Sequence, residues 1–201
     1  MPRKDMVIFM KKQKKITAFD LCLISVFVAA IAAMAQLTIP IPIVPLTMQT
    51  FAIPLAGAVL GAKRGAIAAA VYVLLGIVGA PVFAGLTGGI GTIAGPTGGF
   101  LIAFPVFALI TGFAADKSVN SERNCNKENR LWLAVGLIVG AIVTFLIGGI
   151  IWPVIMFEQS LKTAFLGWVA PFLLGDLIKI AMVFAIAPEI RKVLAKIPVR
   201  S

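Results

Sequence analysis

Asp176 and Lys179 stand three residues apart in VAPFLLGDLIKIAMVFAIAP, residues 169–188, a stretch otherwise apolar over nearly the ~20 residues a bilayer requires. On a helix that spacing stacks both side chains on one face. A charge at membrane depth costs at least ~2.5–3.5 kcal/mol, so such groups face a partner or a polar cavity. Two readings stay open: an ion pair that locks helices together, or a pair that grips a small polar guest. No His is present, which removes the commonest metal ligand and general base. No nucleophile–base pair, metal-ligand spacing or nucleotide-binding glycine motif appears. The chain is therefore expected to be no enzyme and to hold no metal or cofactor. Cys22, in an apolar run, and Cys125, in a basic loop, are read as unpaired.

The elements that must position the pair are apolar helices. Of 201 residues, 60% are hydrophobic and only 13% charged, against about 25% charged in ordinary globular chains. This is the composition of an all-α integral membrane protein, one membrane domain over residues 1–201. A basic arm (1–15) precedes a six-helix bundle (17–188), and a basic tail (189–201) follows. Apolar runs fall at about 17–37, 48–60, 66–79, 100–116 and 131–152, the last closed by Pro153, with the sixth around Asp176. The second and third are short and joined by a basic turn, Gly61-Ala-Lys-Arg-Gly65. Sixteen of the 18 Lys and Arg fall in the arm, that turn, the 117–130 segment and the tail. By the positive-inside rule, six crossings then place both termini in the cytoplasm. The net charge of +10 thus encodes orientation, and no nucleic acid partner is expected.

Two uncharged loops face the other way. TIPIPIVPLTMQT is extended by Pro40, Pro42 and Pro45. PVFAGLTGGIGTIAGPTGG, residues 81–99, carries seven glycines, too many for one continuous helix. Such a segment is either a flexible loop or lies against a cavity, because irregular backbone exposed to lipid leaves polar groups unpaired. Gly95-Pro96-Thr97-Gly98-Gly99 opens the fourth helix and offers N–H groups to an anion, though it is equally a plain helix start. Gln49 is a possible ligand donor and acceptor or a cap. Tyr72, Phe83, Phe100 and Phe157 are wall or interface aromatics, while Trp152 and Trp168 read as interface-belt residues. Ser25, Ala29 and Ala33 repeat every four residues on the first helix. That stripe serves close packing within the bundle or docking of a partner helix.

The segments 81–100, 44–68 and 171–180 (PFLLGDLIKI) resemble the BioY family, the biotin-specific S components of energy-coupling factor (ECF) transporters, over nearly all of 17–188. The resemblance implies the ECF S-component fold in the cell membrane of a prokaryote. It implies capture of biotin on the outer side, with delivery inward by a coupling transmembrane subunit and two ABC-type ATPases; only those partners would use ATP. Asp176 would accept the ureido N–H groups, and Lys179 would meet the ureido oxygen or the carboxylate. Phe83 and Leu86 would cover the rings, with Gln49, Gly88, Gly89, Thr97 and Gly98 completing the site. Ser25, Ala29 and Ala33 would face the coupling subunit. The alternatives are a stand-alone secondary biotin transporter, or an S component for another small vitamin.

Overall fold

The computed structural model describes residues 17–41, 43–120 and 128–194. The arm of residues 1–15, the end of the tail and Cys125 lie outside them.

Helix α1, Ala18–Ala35, starts at a capping box. The Thr17 amide donates to Asp20 Oδ2 (3.0 Å), and the Asp20 amide donates to Thr17 Oγ1 (3.3 Å), which satisfies donors a helix start leaves free. Its inward stripe is Ile24, Val28, Ile31 and Ala35. The ends of the proline connector pair as a small antiparallel hairpin, with bends at 43–44 between them. Strand β1 (Thr38–Ile39) faces β2 (Leu46–Thr47), with Thr38 opposite Thr47.

Helix α2, Gln49–Leu60, and α3, Ala62–Ile77, follow. The turn between them is shorter than the sequence suggested. Gly61 alone reverses the chain at φ +85°, which glycine adopts without a Cβ penalty, so Lys63, Arg64 and Gly65 already belong to α3. A Cβ at Gly57 would stand 2.2 Å from the Ala108 carbonyl oxygen, which is how closely α2 lies against the next long helix.

A short α4 (Ile90–Ala94) interrupts the glycine segment, and α5 runs from Gly98 to Asn120. Helix α6 (Glu128–Thr144) passes through a π-helical stretch, Phe145–Ile151, into α7, Trp152–Phe157. Pro153 therefore does not close the fifth run: it sits at the start of α7, where the widened turn before it absorbs the missing N–H. The last rod joins α8 (Leu161–Ala164), a second π stretch (Phe165–Val169), a 3₁₀ turn (Ala170–Phe172) and α9, Leu173–Leu194. It runs past Pro188, where the bundle was expected to end, because contacts hold it on both sides. Val183 and Ala187 are in the core, and Arg191 donates to the Ala58 carbonyl (3.1 Å) and pairs with Asp116.

Helix α5 is central, packed against α2, α3 and α6, while α9 lies along α2. Among the described residues, four helical stretches are long and apolar enough to cross a membrane: Ala18–Ala35, Gly98–Ser118, Arg130–Phe157 and Leu161–Leu194. Helix α2, with 12 residues, spans only about 18 Å. The extended connector enters the bundle to meet its start, and that arrangement leaves a hollow between connector, glycine segment and long helices.

Candidate solute-binding hollow

The hollow has an empty volume of ≈ 630 Å³, its open mouth included. Its walls are aromatic: Phe83 from the glycine segment, Phe100 and Phe104 from α5, Phe145 from the first π stretch and Phe172 from the last rod. Val44 and Pro45 come from the connector, and Thr87, Thr92 and Thr97 from the glycine segment and the approach to α5. The end nearest α2 is polar, formed by Thr47, Gln49, Thr50 and Asp176.

The charged pair forms as the spacing required. Lys179 Nζ lies 2.8 Å from Asp176 Oδ1, and both residues are buried. The pair is also tied to α2. Thr50 donates its hydroxyl to Asp176 Oδ1 (2.7 Å), while Lys179 donates to Thr50 Oγ1 (2.9 Å) and to the Thr47 carbonyl (2.7 Å). The three ammonium protons thus have three acceptors inside the wall. Asp176 borders the hollow and Lys179 stands behind it. Both hydrogen bonds to Asp176 fall on Oδ1, and no described residue donates to Oδ2. A carboxylate in this setting offers a guest one charge-assisted acceptor, with its counter-charge already in place.

Gln49 lines the hollow, but its amide is largely committed. Its Oε1 accepts from Thr47 Oγ1 (2.9 Å), and its Nε2 donates to the Tyr72 hydroxyl (2.5 Å), which donates in turn to the Val82 carbonyl (3.1 Å). Tyr72 meets Phe83 edge-on at 5.6 Å. The room for the Phe83 ring exists because residue 76 is glycine: a Cβ there would stand 2.0 Å from Phe83 Cζ.

Asp176, Gln49, Phe83 and Thr97 therefore reach the hollow, with Lys179 directly behind. Four other expected site residues do not line it. Leu86 is 67% exposed with φ +56°, because the loop turns its side chain outward. Gly88 and Gly89 serve the path of the chain: the Gly89 amide donates to the Gly76 carbonyl (2.7 Å), and a Cβ at Gly88 would meet the Ala80 oxygen at 2.3 Å. The Gly98 amide is spent on the Gly95 carbonyl (3.1 Å). The Trp152 indole N–H holds the Gly95 carbonyl (3.0 Å). Trp168 is buried in the core. Ser25, Ala29 and Ala33 are all exposed. Thr47 and Thr50 were missed, although polar residues opening an apolar run too short to cross a bilayer were a legible signal.

Membrane-length helices around an aromatic hollow with one buried charged pair define a membrane protein built to hold a small, partly polar solute. A family model described as the BioY family matches residues 10–196. The chain is 36% identical to the probable biotin transporter BioY of Pyrococcus horikoshii over 174 residues, 87% of this chain and 97% of that one. It is 34% identical to the biotin transporter BioY of Thermotoga maritima over 167 residues, 83% of this chain and 92% of that one. The crystal structure of the S-component for biotin from an ECF-type ABC transporter superposes with a TM-score of 0.75 at 28% identity, covering 86% of this chain and 90% of that one. The chain belongs to the BioY family.

Proposed function

We propose that this chain is the biotin-capturing S component of an ECF-type importer, a transport subunit and not an enzyme. The observation that carries the reading is Asp176, whose Oδ2 is left over by Thr50 and Lys179 at the polar end of an aromatic hollow. Biotin presents ureido N–H groups, an apolar bicycle and a carboxylate tail. The ureido donates to Asp176, the bicycle lies among Phe83, Phe100, Phe145 and Phe172, and the tail points toward Thr97. The Thr87 and Thr92 hydroxyls already donate to backbone carbonyls, which leaves Thr97 as the threonine donor for a carboxylate. Lys179 holds Asp176 in place through their 2.8 Å contact. Unpaired buried polar groups discriminate strongly, so analogues lacking the ureido are rejected.

The chain crosses the cell membrane of a prokaryote six times, α2 and α3 crossing within the shelter of the longer helices. The end bearing Arg64, Lys117 and Arg191 is cytoplasmic, and the hollow opens outward. The exposed face of Ser25, Ala29 and Ala33 receives the coupling transmembrane subunit, which joins two ABC-type ATPases. Titration calorimetry of the purified chain tests the capture step, with 1:1 biotin binding expected and none of the diamine analogue from which the ureido carbonyl has been removed. Vesicle uptake separates the alternatives. Uptake that requires coupling subunits and ATP is expected, and uptake by this chain alone would establish a secondary transporter instead.

A further inference from the structure

Gln36, the C-terminal cap of α1, reaches across to the loop of residues 83–87. Its Nε2 donates to the Phe83 carbonyl (3.0 Å), with the Val82 carbonyl at 3.4 Å and the Ala32 carbonyl at 3.2 Å, and its Oε1 accepts from the Leu86 amide (2.9 Å). One side chain thus grips both limbs of the loop. The loop is a closed unit, the Phe83 amide donating to the Thr87 carbonyl (3.0 Å), and Phe83, Ala84 and Thr87 from it line the hollow. Its backbone is unusual. Gly85 at φ +68° is at ease in the left-handed region, but Leu86 at φ +56° is not. A γ-branched residue keeps such a conformation only where its surroundings impose it, and with 67% exposure Leu86 has little packing to do so. The imposing contact is the bond from its amide to Gln36.

We infer that Gln36 is a positioning residue that latches the 83–87 loop over the hollow and thereby sets how long the bound solute stays. The inference rests on biotin as the solute. When the latch opens, the left-handed strain at Leu86 favours a relaxed loop, the Phe83 wall moves away and the solute departs. Association is affected less, because the open loop is the form that admits solute. The latch also springs from the helix whose outer face carries Ala29 and Ala33, so a partner that tilts α1 acts directly on the loop.

The test uses the full chain in nanodiscs. Dissociation of labelled biotin is measured beside hydrogen exchange of residues 83–88 without biotin. Gln36→Leu is expected to release biotin about ten times faster, with association within about twofold of wild type and faster exchange in the loop. Adding Leu86→Gly to Gln36→Leu is expected to slow release again, since glycine keeps the left-handed shape without a latch, a rescue that a general loss of stability does not produce. Should Gln36→Leu fail to fold, Gln36→Glu retains the acceptor for Leu86 but sets an oxygen against the Phe83 carbonyl, and the same direction is expected. Unchanged release and exchange in the latch variants overturn the inference, as does absence of the glycine rescue. If the wild-type chain binds no biotin, the reading of the solute fails, while the exchange comparison still decides the latch.

Discussion

Replacing Asp176 by Asn separates a ligand-gripping carboxylate from a structural one. In the wild type, Oδ1 takes hydrogen bonds from Thr50 (2.7 Å) and Lys179 (2.8 Å), Oδ2 takes none from a described residue, and Asp176 borders the hollow. Asparagine has one oxygen. If that oxygen stays with Thr50 and Lys179, an NH₂ group turns toward the solute and opposes the ureido donors. If it turns to the solute, the NH₂ opposes the ammonium. A hydrogen bond to a charged group is worth ~1.5–3 kcal/mol, and each ~1.4 kcal/mol is tenfold in affinity. Biotin affinity is therefore expected to fall about 100-fold by titration calorimetry in detergent.

The same substitution leaves Lys179 buried without its counter-charge, which destabilises by up to ~3–5 kcal/mol. The control is Asp176→Asn with Lys179→Met, which removes the orphaned cation. Thermal unfolding of the double variant is expected to return toward wild type while biotin affinity does not. Affinity within threefold of wild type in either variant refutes the assignment and leaves the pair as a helix tie.

Thr50→Val removes the hydroxyl between Lys179 and Asp176, leaving an ammonium proton short of an acceptor at ~1–3 kcal/mol. About tenfold weaker biotin binding is expected, with Thr50→Ser close to wild type, and equal affinity for Val and Thr would discard the relay. Gly76→Ala places a methyl on the Phe83 ring, 2.0 Å from Cζ. Overpacking of ~1–3 kcal/mol and a displaced wall are expected to lower both melting temperature and affinity, and no change in either contradicts the packing described. Ala29→Trp and Ala33→Trp, on the exposed side of α1, are expected to spare biotin binding and abolish ATP-dependent uptake with the coupling subunits. Normal uptake would remove that face as the docking site.

Much of this was legible because a bilayer simplifies the rules. A spacing of three put both charges on one helix face, and Asp176 and Lys179 do meet there. The proline connector was read as extended, and its ends pair as strands of two residues each. What escaped were features set by long-range contact. Pro153 and Pro188 looked like helix ends, yet each rod continues, because a π turn or an anchoring partner offsets one lost backbone bond. Leu86 read as a ring cover, but its side chain points out because Gln36, fifty positions away, fixes its backbone. Gly98 read as an anion donor, but its amide had already turned to Gly95. No local pattern announces which of several glycine amides a loop will consume.

The buried and half-buried aspartates of the helices differ in their surroundings, and the difference supports the role proposed for Asp176. Asp20 pairs with Arg64 (3.1 Å) and closes the capping box of α1. Asp116 pairs with Arg191 and accepts the first amide of α3 (3.1 Å). Both stand at the basic end, where they join α1 to α3 and α5 to α9, and neither lines the hollow. Asp176 has the same kind of cationic partner, but its surroundings differ. Thr50 and Lys179 converge on a single oxygen, and five phenylalanines line the hollow that Asp176 borders. An ion pair in such surroundings does not by itself stabilise a fold more than apolar packing would. A carboxylate held half-satisfied there gains its full value only when a donor arrives from the hollow, which is the role proposed for it in recognition.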